Sequence, residues 1–343
     1  MNIQESVKKF DPENQFEVIK NSYKQIETSW SREVDLSLIK REKISNIIVS
    51  GLGGSAIGGD LIADFTNGEL KLPYFVNRNY GLPAFADENT LVIASSYSGN
   101  TEETLSAVEE AVKRGAQIVA VTTGGKLKTF AEENNIPTFL MQGGFQPRFA
   151  LYSSFFGLLK VLQGLGLIPE QSEFVSRIID LVKEKGSEYS AGGNSALSNA
   201  ENLTGFIPVI YGVSGSTATL AVRLKGEFNE NSKLHAFCNF LPEMNHNEII
   251  GWETFDSAQL NAKAIFFEDE IYHPQIKKRI ELSKGLIKKA GAETVEISSR
   301  ENDFKVRLFD MVYLGDWISY YLALIRKKDP TEIDNIIFLK ENL

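Results

Sequence analysis

Cysteine is nearly absent. Cys238 is the only one in 343 residues, so no intrachain disulfide can form, which suits a reducing compartment. Histidine is scarce as well: His235, His246 and His273 are the full set, and their spacing offers no close pair of metal ligands. No dedicated metal site is expected. A basic excess is missing too, since 36 Lys and Arg stand against 45 Asp and Glu, a net charge of −9. Phosphate backbones attract basic surfaces, so a nucleic-acid partner is disfavoured. The opening stretch MNIQESVKKFDPEN has no apolar core of the secretory-signal kind. No uninterrupted apolar run of about 18 residues suggests a membrane span. Together these absences predict a cytoplasmic protein without membrane association.

What the chain does have is a repeated grammar of buried strand, small-residue loop and helix. A hydrophobic share of 43% with 24% charged residues is that of an ordinary globular protein, and the length exceeds what one core usually supports. Residues 1–42 read as a polar N-terminal helical segment, with Phe16, Ile19, Tyr23, Ile26 and Trp30 at helical spacing. From 43 to 165 short β-branched runs (44–52, 72–80, 90–97, 117–123 and 137–142) alternate with helical patterns. That alternation predicts a doubly wound α/β domain with a parallel sheet. The long apolar helix 150–166 closes it. A second unit, 195–343, repeats the element as FIPVIYGV, then SGSTAT, then LAVRLKGEFNENS. Further strands are expected at 262–269 and 293–298, with helices at 275–290 and 308–327. The fold class is therefore α/β, with two doubly wound, flavodoxin-like or Rossmann-like parallel-sheet domains.

Two loops of the first unit carry the chemistry. GLGGSAIGG (51–59) matches the G-x-G-x-x-A dinucleotide fingerprint, but the acid expected at the end of the next strand is replaced by Asn77, Arg78 and Asn79. An NADP-dependent oxidoreductase is thereby disfavoured, Arg78 being the one residue that could serve a 2′-phosphate. SSYSGNTEET (95–104) places Ser96, Ser98 and Thr101 where a strand passes into a helix, with Asn100 and Glu103 spaced as a capping box. Glycine N–H groups and hydroxyls at two helix N-termini can hold a phosphate without a basic cluster, and an acidic protein needs that arrangement. Gly53, Gly54, Ser55, Ser96, Ser98 and Thr101 are the expected substrate-binding residues. In the second unit Ser214, Ser216 and Thr217 read as a structural turn.

GGSAIGGD with SYSGNTEET resembles the sugar isomerase (SIS) domain, a doubly wound phosphosugar-binding fold. Over about 45–343 the chain resembles the bifunctional phosphoglucose/phosphomannose isomerases, on the further strength of QPRFALY, FNENSK and PEMNHNEI. On pattern alone, four residues read as unremarkable. Glu230 is a helix-end glutamate beside Glu227 and Lys233, His246 a loop histidine, Arg148 a surface arginine and Lys340 a near-terminal lysine. The resemblance gives each a role. It implies that Glu230 shuttles the proton between C1 and C2, with Glu227 as the runner-up, and that His246 opens the sugar ring from across a homodimer interface. Arg148 would stabilise the enediolate, its fork set on a constrained turn. Lys340 would reach the substrate, its tail pinned by the apolar NIIFL, and Thr331 is the nearest candidate for the threonine tied to mannose acceptance. The implied activity interconverts glucose 6-phosphate and mannose 6-phosphate with fructose 6-phosphate, a reaction that requires no metal or redox cofactor. The alternative is a SIS protein that binds a phosphosugar without turning it over.

Overall fold

The computed structural model describes residues 2–254 and 261–342, apart from the side chain of Glu341. Residues 1, 255–260 and 343, which the expected domain spans include, lie outside the described residues. The chain divides into two compact units, one contiguous (Ser22–Ile179) and one split (Met1–Asn21 with Asp180–Leu343).

The contiguous unit holds five strands: β1 (Asn46–Ser50), β2 (Tyr74–Asn77), β3 (Thr90–Ser96), β4 (Gln117–Thr122) and β5 (Thr138–Leu140). All pair in parallel, in the order β2-β1-β3-β4-β5. On one face Ile48, Val92, Ala94 and Ala120 pack against Ala107, Val108 and Ala111 of one helix and Leu127 and Ala131 of the next. The helices Gly53–Phe65 and Leu151–Gly164 pack on each other, and glycines set their approach to the strands. A Cβ on Gly59 would stand 3.0 Å from Val49 Cγ1, and one on Gly157 would stand 2.8 Å from the Phe139 ring. This strand order has its reversal between β1 and β3, where open α/β sheets bind ligands beyond the strand carboxyl ends. Both Gly/Ser/Thr loops emerge there.

The split unit repeats the winding on a smaller scale. Its strands β6 (Ile207–Val213), β7 (Phe237–Leu241), β8 (Ala262–Phe267) and β9 (Glu293–Ile297) pair in parallel in the order β7-β6-β8-β9. Its spine is the helix Phe304–Ile325, mostly apolar and buried on nearly every side. By length and composition it could cross a membrane, but 83% of the relevant window is buried inside the protein, as in a core helix. A helix hydrophobic all round is what a core element of a large domain requires. The segment 1–42 is also divided between the units. Phe16 packs edge-on against Trp317 at 5.3 Å, and the Tyr313 hydroxyl donates to the Ile19 carbonyl at 2.9 Å. Asp11 accepts from the Gln15 and Phe16 N–H groups, each at 2.8 Å, and from the Tyr320 hydroxyl at 2.7 Å. Residues 2–20 thereby belong with the split unit. Gln25 instead bonds the Phe149 carbonyl at 2.8 Å in the contiguous unit.

Candidate active site

The helix Gly53–Phe65 begins one residue after Leu52, whose backbone is extended and whose side chain supplies no cap. The helix Glu102–Lys113 begins after Thr101, again with no side-chain cap. The expected capping box does not form: the Asn100 carbonyl oxygen Oδ1 accepts from the Lys126 N–H at 3.1 Å instead. Two helix N-termini at the β1/β3 reversal thus keep N–H groups that no cap takes up, which is the electrostatic requirement for an anion.

The serine hydroxyls around them are oriented by backbone N–H groups. Ser55 Oγ accepts from the Tyr97 N–H at 3.2 Å, and Ser98 Oγ accepts from the Asn100 N–H at 3.2 Å. Ser96 Oγ accepts from Gly99 N–H at 3.1 Å and shares a bond with Thr101 Oγ1 at 2.9 Å. Ser55 and Ser98 accept from backbone and keep their own protons to donate, the role a phosphate needs, while of Ser96 and Thr101 one donates to the other. Only glycine fits at 99. Its φ is +68°, and a Cβ would stand 1.8 Å from the Gly124 carbonyl oxygen. Arg78, the one residue kept for a 2′-phosphate, is paired with Asp60.

Arg148 belongs to the same unit. It lies in the single-turn 3-10 helix Pro147–Ala150, is 5% exposed, and its guanidinium sits 5.2 Å from the Phe149 ring centroid. The turn rests on the first loop: a Cβ on Gly54 would meet the Pro147 carbonyl oxygen at 2.9 Å and Arg148 Cα at 3.8 Å. Gly53, Gly54, Ser55, Ser96, Ser98, Thr101 and Arg148 are therefore brought together on one sheet edge.

Glu230, His246 and Lys340 lie in the split unit. Glu230 is the last residue of the helix Ala218–Glu230 and is half-buried. Its neighbours are tied inward. Asn231 Nδ2 donates to Ser319 Oγ at 2.9 Å, Ser232 Oγ to the Ser319 carbonyl at 2.7 Å, and Arg326 Nε to the Ser232 carbonyl at 2.9 Å. One turn earlier, Glu227 is fully buried. Arg223 Nη2 stands 2.6 Å from Glu227 Oε1 and 2.6 Å from Asp316 Oδ1. Burial, more than the nearby Asp316 charge, pushes the Glu227 carboxyl well above the ordinary range. Two carboxylates sharing one guanidinium leave a surplus negative charge, and a proton on Glu227 cancels it. The runner-up base is thus built into the core.

His246 ends a 3-10 turn (Glu243–His246) and is exposed, while the residues beside it are clamped. Asn245 Nδ2 donates to Ser283 Oγ at 2.7 Å. Glu248 accepts from the Tyr211 hydroxyl at 2.5 Å and from Asn239 Nδ2. His273 caps the helix Pro274–Lys289 by accepting from the Gln275 N–H at 3.1 Å, and His235 packs against the Phe237 ring at 4.7 Å. Thr217 is consumed as a turn residue, its hydroxyl bonded to Val213 N–H at 3.0 Å and to Tyr272 at 2.5 Å. Thr331 is buried, with its N–H donating to Asp329 Oδ1 at 2.7 Å.

Lys340 departs from expectation. It sits on the helix Asp334–Glu341, and the apolar residues meant to pin that segment are uncovered: Phe338 is 65% exposed and Leu339 60%. Sequence reasoning also passes over Tyr97 and the Glu248–Tyr211 pair. An aromatic inside a hydroxyl loop, and a glutamate two residues from the histidine, are the available signals.

Residues 42–136 match the SIS domain family, and residues 193–343 match the family described as the bacterial phospho-glucose isomerase C-terminal SIS domain. The chain is 40% identical over 333 residues to a bifunctional phosphoglucose/phosphomannose isomerase of Caldicellulosiruptor bescii, covering 96% of this chain and 98% of the relative. It belongs to that family. A namesake from Aquifex aeolicus is 35% identical over 302 residues, covering 87% of this chain and 90% of its own. Among solved structures, a hypothetical protein from Thermus thermophilus superposes with a TM-score of 0.75 at 15% identity, covering 99% of this chain and 92% of that one. That likeness speaks for the fold.

Proposed function

We infer that the chain works as its relatives are named. It is an aldose–ketose isomerase interconverting glucose 6-phosphate and mannose 6-phosphate with fructose 6-phosphate through a cis-enediol. One observation carries the binding half: two uncapped helix N-termini and a set of donor hydroxyls converge at the β1/β3 reversal. They bind the phosphate without basic side chains, which explains a phosphosugar enzyme with net charge −9.

The chemical steps are assigned to the four residues singled out by the motifs. His246 transfers the proton that opens the ring, a task suited to an imidazole. Glu230 takes the C2 proton of the open aldose and returns it to C1, so no proton is lost to the net reaction. Arg148 lies against the charge that develops on the enediolate oxygens, with Lys340 as a second cation there. Return of the proton to either face of C2 gives either epimer, which is how one site serves both aldoses.

The working protein is proposed to be a homodimer in the cytoplasm, with His246 supplied by the partner. The exposed apolar Phe338 and Leu339 supply a surface that a second copy can cover, and the lone, half-buried Cys238 calls for no oxidising compartment. The reading is tested by coupled detection of fructose 6-phosphate from each aldose phosphate. Glu230→Gln is expected to lose at least about 10²-fold in kcat on both substrates, with KM nearly unchanged. Equal retention of both activities by that variant would remove Glu230 from the mechanism. A wild-type protein that binds phosphosugar without turnover would favour the binding-only alternative.

A further inference from the structure

Tyr97 directly follows β3, between Ser96 and Ser98, and joins three other loops of the same sheet edge. Its N–H donates to Ser55 Oγ at 3.2 Å, on the loop after β1. Its carbonyl accepts from Thr123 N–H at 3.2 Å and from Thr123 Oγ1 at 2.7 Å, on the loop after β4. Its side-chain hydroxyl accepts from the Phe145 N–H at 2.9 Å, on the loop after β5. The backbone of Tyr97 therefore serves the phosphate loops, while the phenol serves the segment that leads into Arg148.

That segment needs an anchor. Gly143 and Gly144, the latter with φ +96°, precede Phe145 and give the backbone wide freedom. Three residues after Phe145 comes Arg148, in a turn closed by Phe149 N–H donating to the Gln146 carbonyl at 2.9 Å. The turn meets the first phosphate loop at Gly54, where there is no room for a Cβ. Its position against the helix Gly53–Phe65 is thus set on one side by Gly54 and on the other by the hydroxyl of Tyr97. Half-buried and protonated, the phenol accepts the Phe145 N–H and keeps its own proton.

We propose that Tyr97 is a positioning residue of the isomerase: its hydroxyl, through Phe145, holds the Arg148 guanidinium at the height the enediolate requires. This rests on the role given to Arg148 above. Tyr97→Phe removes one oxygen and leaves every backbone bond of residue 97 in place, so phosphate binding is preserved while the arginine turn is loosened. Misplacement of a catalytic group by a fraction of an ångström is a kcat effect.

The experiment is a double-mutant cycle of Y97F and R148A, measuring kcat and KM for glucose 6-phosphate and the urea unfolding midpoint. Y97F is expected to lower kcat roughly tenfold with KM within about twofold and an unchanged midpoint. In the R148A background the same change is expected to cost nothing further, because the group it positions is gone. Normal kcat in Y97F beside a slow R148A would overturn this inference alone. Normal kcat in R148A would overturn the role of Arg148 and this inference with it. Additive losses in the cycle, or a fall in kcat matched by KM and midpoint, would make Tyr97 a general structural residue and also refute the proposal.

Discussion

Gly53 and Gly54 are adjacent, yet alanine should fail at them for different reasons. At Gly53 a Cβ would meet nothing within 4 Å, but φ is +52°, in the left-handed region. The cost of Gly53→Ala is therefore conformational, about 1–2 kcal/mol, and falls on the stability of the contiguous unit. At Gly54 no left-handed φ is involved, and the obstacle is the Pro147 carbonyl oxygen, 2.9 Å from the Cβ position. Ordinary contact lies about half an ångström further out, and a backbone carbonyl cannot rotate aside as a flexible side chain does. The Arg148 turn must retreat by that amount. A displacement of about 1 Å at a catalytic group costs on the order of 10²-fold, so half of it costs roughly tenfold in kcat. Both variants are assayed by fructose 6-phosphate formation and by urea unfolding, read at the midpoint with the slope checked for constancy. G53A is expected to lose stability and, because Gly53 belongs to the phosphate loop, to raise KM with kcat held within about threefold, and G54A to lose kcat with a smaller change in midpoint. The reasoning is refuted if G54A turns over normally, or if the two variants lose activity and stability in the same proportion.

The buried Arg223–Glu227–Asp316 triad sets a pH dependence. Folding raises the Glu227 carboxyl above its unfolded value, so above about pH 4.3 the unfolded state binds fewer protons and stability falls with rising pH, by up to about 1.4 kcal/mol per unit. Glu227→Gln carries no titrating proton, and its urea midpoint between about pH 5.5 and 7.5 should slope less than the wild type's; parallel slopes would place the proton elsewhere. The proposed shared-site dimer predicts complementation: inactive E230A and H246A, unfolded and refolded together in equal amounts, should recover about a quarter of wild-type activity, since half the dimers are mixed and each has one intact site. No recovery, with mixed dimers verified by mass, would put Glu230 and His246 on one subunit.

Buried parallel strands announce themselves in sequence. ISNIIVSGL and TLVIASSY are β-branched runs ended by small residues, and they fall on β1 and β3. FCNFL carries no such signal, because β7 is an edge strand with Phe237 51% exposed and only Leu241 buried. The phosphate loops are legible from composition, but the fate of the capping box in NTEE is not, because Asn100 is taken by Lys126, 26 residues away. Glu227 reads as the runner-up base beside Glu230, with nothing to mark it as buried. Its burial depends on Asp316, 93 positions from Arg223, and no local pattern carries that information. The apolar NIIFL reads as an anchor, but within one chain its Phe338 and Leu339 find no cover.

The split unit has a consequence for how the protein is made. Residues 3–20 are translated long before the Trp317, Tyr313 and Tyr320 they pack against. The nascent chain must therefore carry Phe16 and Ile19 without their core while the contiguous unit, Ser22–Ile179, completes its own sheet. A gene fragment cut at the family boundary near residue 193 would express a sheet whose spine helix lacks this cover. Fusing residues 2–21 back onto such a fragment is the remedy the covalent order of the chain suggests.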